Sequence, residues 1–87
     1  MLQVPFSDRE ISVLVDVLRY WEAYPGMPDP QIYADIADAL LAGNLTSEQW
    51  YGLDSVLDVE ASERSELEWF LYVVRRIRRS AVEIPTA

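Results

Sequence analysis

Ser7-Asp8-Arg9-Glu10-Ile11-Ser12-Val13-Leu14-Val15-Asp16-Val17-Leu18-Arg19-Tyr20-Trp21-Glu22-Ala23-Tyr24 is the stretch that decides the fold. Its β-branched residues suit a strand, but its period does not. Ile11, Val13, Leu14, Val17, Leu18, Trp21 and Tyr24 recur at three- and four-residue spacing. At about 100° per residue they gather on roughly half of a helix, and Ser12, Asp16, Arg19 and Glu22 take the other half. Ser7 and Glu10 have the spacing of a capping box, in which a hydroxyl and a carboxylate satisfy each other's backbone donors. Pro25-Gly26 ends the run. A helix is therefore predicted over 7–24.

The same reading extends along the chain. Asp29-Pro30 opens a second helix, with proline at its first position, and Gly43 caps it after residue 42. Ile32, Ile36, Ala39 and Leu40, flanked by Tyr33, Ala37 and Leu41, form its expected inner face, while Asp35 and Asp38 point outward. Thr46-Ser47-Glu48-Gln49 reads as another capping box and starts a third helix over 47–59. Trp50, Leu53, Val56 and Leu57 lie on one side of it, and Tyr51, Asp54 and Asp58 on the other. A break near 59–61 precedes a fourth helix over 62–80, capped by Ser62 or Ser65, and the tail 81–87 reads as frayed. The expected architecture is all-α: a compact four-helix bundle, mostly antiparallel with short loops, in a single domain spanning 1–87.

The fourth helix is apolar on two sides. Leu67, Phe70, Leu71, Val74 and Ile77 make a core stripe, while Trp69, Tyr72 and Val73 lie well round from it. Such a helix is either central to its bundle or meets another molecule through its second face. A chain of 87 residues buries proportionally little surface, which favours the second alternative. Trp21, Trp50 and Tyr24 fall on the inner faces and are read as core residues.

Absences narrow the chemistry. The chain has no lysine, no cysteine and no histidine, so all seven basic residues are arginine. Disulfides, Cys or His metal ligands, Cys or His nucleophiles and bases, and Schiff-base lysines are excluded. No cofactor is expected, and no enzymatic activity. Only carboxylates remain as catalytic material. Asp35-x-x-Asp38 and Glu60-x-x-Glu63-x-x-Glu66 have the one-turn spacing with which paired acids hold magnesium. In this they resemble the all-helical nucleotide pyrophosphohydrolases, a likeness that implies magnesium-dependent nucleotide hydrolysis. The pattern departs from that family because Asp35 and Asp38 turn away from the core stripe and no lysine is present to hold phosphate. A solvated acidic face, with no metal, is the reading adopted.

Charge carries more information. The net charge is −8, and residues 1–74 hold three arginines against fourteen carboxylates, a balance of −11. Such a surface repels nucleic acid and speeds encounter with basic proteins. In size, charge and helicity the chain is similar to bacteriocin immunity proteins and to phage-encoded inhibitors of host defence. That likeness implies a non-enzymatic acidic module that occludes a basic site on a nucleic-acid-handling protein. Candidate contacts are Tyr51 with Asp54 and Asp58, Trp69 with Tyr72 and Val73, and the outward pair Asp35 and Asp38. Aromatic rings beside carboxylates suit an arginine-rich partner.

Arg75-Arg76-Ile77-Arg78-Arg79 sets four of the seven arginines in five positions. Arg75, Arg76, Arg78 and Arg79 suit the negative end of a helix dipole, pairing with acids of other helices, or contact with a second copy of the chain. Direct nucleic-acid binding is not expected beside so many carboxylates. A homodimer using the second face of the fourth helix is the alternative reading, and would make the chain a small assembly protein. The longest apolar stretch, 69–74, is far shorter than the roughly 20 residues that span a bilayer. Residues 1–5 lack a secretion signal, and a cytoplasmic location is expected.

Overall fold

The computed structural model describes residues 2–27 and 29–83. The chain is all-α. Its helices are α1 (Asp8–Ala23), α2 (Pro30–Ala42), α3 (Ser47–Glu63) and α4 (Glu68–Glu83), joined by one 3-10 turn at Ser65–Leu67 and two short strands, β1 (Leu2–Gln3) and β2 (Asn44–Leu45). Residues 1–46 and 47–87 form two compact units.

In the first unit, α1 starts on the expected capping box. The Glu10 N–H donates to Ser7 Oγ at 3.2 Å and the Ser7 N–H to Glu10 Oε1 at 2.8 Å. Asp29 stands at the N-cap of α2 before Pro30, but its side chain makes no capping hydrogen bond. Trp21 of α1 meets Tyr33 of α2 edge-on at 5.5 Å, and Arg19 reaches the later Asp38 at 3.3 Å. Position falls along one helix as it rises along the other, so the two run antiparallel. Gly43 ends α2 at φ 93°, a left-handed conformation that glycine adopts without a steric penalty. Its N–H donates to the Ala39 and Leu40 carbonyls, and its own carbonyl accepts from the Val4 N–H at 2.9 Å. That bond extends the antiparallel ladder in which Leu2 pairs with Leu45 and Gln3 with Asn44. The strand pair had no expectation from sequence.

The inner faces differ from the expected ones at several positions. Leu14, Val17 and Leu18 of α1 are buried, but Tyr24 is 52% exposed. Tyr24 is the C-cap, just beyond the last helical residue, and its ψ of 127° turns the chain out of the helix there. On α2 the buried residues are Ala34, Ile36, Ala37 and Leu40, whereas Ile32 and Leu41 are exposed. The buried arc is turned toward the two alanines; Ile32 falls at its margin in the first turn, and Leu41 lies in the last turn, at the end of the helix. Asp35 and Asp38 face solvent as expected.

In the second unit, Trp50, Leu53, Val56 and Leu57 of α3 are all buried, together with Ala61. Leu67, Phe70 and Val74 supply the buried stripe of the following segment, with Leu71 and Ile77 half-buried. α3 continues four residues past the expected end at 59. Ser62, read as a possible cap, instead donates its hydroxyl to the Val59 carbonyl at 2.6 Å within the helix. The break comes at Arg64, whose extended backbone (φ −127°, ψ 94°) leads into the 3-10 turn. Ser65 opens that turn, and α4 begins at Glu68 rather than at 62. Helices three and four are therefore separate. α4 runs to Glu83, so 81–83 are helical rather than frayed; positions 84–87 lie outside the described residues.

Candidate functional site

Among the described residues, the largest ion-paired group lies between α3 and α4. Arg75 Nη2 donates to Asp58 Oδ1 at 2.8 Å, and Arg75 Nε approaches Asp54 Oδ1 at 3.4 Å. Arg78 Nη1 donates to Asp54 Oδ2, and its guanidinium lies 4.1 Å from the centre of the Tyr51 ring. The earlier residues of α3 meet the later ones of α4, so this helix pair is also antiparallel. The expected trio Tyr51, Asp54 and Asp58 is thus brought together, and its arginine partners come from the same chain.

One member is not where sequence placed it. Asp54 was expected on the outer side of α3 and is 6% exposed, the one buried charged residue among those described. At four residues beyond Trp50 it falls at the edge of the buried arc of the helix, between Trp50 and Asp58. Burial of a carboxylate requires compensation, and two guanidinium groups provide it here. The Asp58 hydrogen bond, followed by the Asp54 charge, holds Arg75 above its ordinary pKa, so it stays charged at every pH of interest.

The arginine cluster does not serve the helix dipole. The dipole acts within the last turn, and the last turn of α4 contains no basic residue. Arg75 and Arg78 pair with α3. Arg76 and Arg79 are exposed and form no ion pair with any described residue. They join Glu68, Leu71, Tyr72 and Arg75 in lining a cleft of about 370 Å3 along α4. On the second face of this helix, Trp69 is 51% and Tyr72 63% exposed, and Val73 is half-buried. Trp69 packs edge-on against Phe70 at 5.2 Å.

The first unit offers a different surface. Asp38 accepts from Arg19 and Asp35 from Gln31 Nε2 at 2.9 Å, both at the surface. Residues 1–46 contain seven carboxylates and two arginines. Tyr20, which sequence reasoning passed over, is largely exposed and stacks at a tilt on Tyr24, 5.9 Å between centroids. The missed signal is its four-residue spacing from Asp16, which puts the two on one side of α1, with Tyr24 following just past the helix end.

Among the described residues no group of three acids is arranged to hold a metal ion. Glu66 instead pairs with Arg64 at 3.1 Å. Its carboxyl lies below its ordinary pKa, first through its own backbone N–H and then through Arg64. No helix in the described residues is long and apolar enough to cross a membrane.

Comparison of the chain with protein-family models, with curated proteins and with solved structures finds no match in any of the three.

Proposed function

We propose that the chain is a non-enzymatic acidic binding module, an inhibitor or neutraliser of the immunity or anti-defence type. It would act in the cytoplasm by covering a basic site on a nucleic-acid-handling protein. The observation that carries this reading is the uneven compensation of charge. The carboxylates nearest the arginine cluster, Asp54 and Asp58, are paired within the chain. In residues 1–46 the balance is −5, and the single arginine that forms a described ion pair there, Arg19, serves Glu22 and Asp38. Asp8, Asp16, Asp29 and Asp35 remain exposed, without an arginine partner among the described residues. With the Tyr20–Tyr24 pair beside Asp16, that surface offers charge for steering and aromatic area for a contact with arginine.

The test is capture by the tagged protein from nuclease-treated lysate of the native host, followed by assay of whatever is captured. The reading expects one stoichiometric basic protein that handles nucleic acid and loses activity when the purified chain is added. Recovery of the bait alone, or a captured protein whose activity is untouched, refutes it.

A further inference from the structure

We propose that α4 docks against α4 of a second copy, antiparallel about a two-fold axis passing at Tyr72, so that Glu68 of each copy meets Arg76 of the other. Its basis is the pattern of charge along one face. At about 100° per residue, Glu68, Tyr72, Arg76 and Arg79 fall within roughly 80° of one another. They border the same cleft, on the side of the helix away from buried Phe70 and Val74. The face begins acidic at Glu68 and ends basic at Arg76 and Arg79.

Such polarity is self-complementary only in antiparallel register. With Tyr72 on the axis, positions 68 and 76 each lie about 6 Å from it along the helix, at 1.5 Å per residue. A two-fold contact is reciprocal, so each complementary pair forms twice. Arg76 and Arg79 lack ion-pair partners among the described residues, whereas Arg75 and Arg78 have theirs on α3. A uniformly basic partner would be attracted by Glu68 and repelled by Arg76 and Arg79; a uniformly acidic one would meet the reverse conflict. A second α4 matches Arg76 with Glu68 at both ends and sets Arg79 beyond that pair, opposite Ser65. The exposed Tyr72 ring and the exposed part of Trp69 contribute apolar area beside the charges. The net charge of −8 opposes association at long range, but that repulsion is screened beyond about 10 Å in ordinary salt. The Glu68–Arg76 contacts act inside that distance.

Because salt weakens both the repulsion and the contacts, charge exchange is the discriminating experiment. Sedimentation of the full chain should show a dimer at about 100 µM, a concentration that reveals even micromolar affinity. Arg76→Glu and Glu68→Arg should each raise the dimer dissociation constant by about tenfold or more, since each creates two like-charge contacts. The double variant Glu68→Arg/Arg76→Glu should return to within about threefold of the original, because the reciprocal pairs are rebuilt. Tyr72→Glu, with two carboxylates on the axis, should be monomeric. Far-UV circular dichroism establishes that each variant is as helical as the parent. A monomeric parent, single variants that dimerise unchanged, or a double variant that fails to recover would each overturn the proposal. So would a monomeric parent that binds inorganic phosphate at Arg76 and Arg79, which would assign the cleft to an anion. None of these outcomes bears on whether a basic protein is bound elsewhere on the chain.

Discussion

Asp54 has two guanidinium groups on its oxygens and little water around it. Removing one partner of a fully buried ion pair costs about 3–5 kcal/mol, because the other charge is left without compensation. Arg75 and Arg78 keep side-chain exposures of 48% and 32%, so water can partly replace the lost carboxylate. Asp54→Ala is therefore expected to destabilise the protein by about 2 kcal/mol, read from chemical denaturation. A change under about 0.5 kcal/mol, the size of an ordinary surface substitution, would mean that the pair contributes little. The same geometry alters what Tyr51 offers a partner. One of its faces is taken by Arg78, leaving the other face and the edge for any outside contact.

At the scale of elements, the starts of α1, α2 and α3 were legible, whereas the start of α4 and the ends of α3 and α4 were not. Ser7 with Glu10 and Asp29 with Pro30 mark α1 and α2 to within a residue, because caps use particular side chains at particular spacings. Ser7→Ala removes the Oγ that accepts the Glu10 N–H, and a thermal melt should show a loss of about 1 kcal/mol; an unchanged melt would make the box ornamental. The end of α3 has no such mark. Residues 59–63 contain neither glycine nor proline, and Ser62 turns its hydroxyl back onto the helix, which no linear reading separates from a cap. The strands β1 and β2 are two residues each, too short for an alternating pattern to exist. The charged cluster was half legible: Tyr51, Asp54 and Asp58 group on any helical wheel. Their pairing with Arg75 and Arg78 depends on the register between two helices, joining positions 17 to 24 residues apart. Chemical type also misled, since a carboxylate at the border between the buried and exposed arcs, as at Asp54, reads as outward.

The whole molecule is strongly acidic, and its compensation is local. With arginine the sole base and four arginines confined to 75–79, most of the surface potential is negative. Association with a basic target should therefore be steered, with a rate constant that falls as ionic strength rises. Between about 50 and 500 mM salt the decline should reach about tenfold, while dissociation changes far less. Stopped-flow or surface-based kinetics would record it, and a salt-independent association rate would remove electrostatic steering from the proposed function. The pairing of α4 with a second copy would place two such acidic surfaces in one particle, so that a dimeric target could be held at two points.

The clamp of Asp54 by Arg75 and Arg78 also links the effects of changing any of the three. Losing Arg78 first leaves Asp54 still facing Arg75, whereas losing Asp54 first leaves Arg75 with Asp58 alone and takes from Arg78 its carboxylate on α3. Substitutions at positions 54, 75 and 78 should therefore couple in their effects on stability rather than add independently.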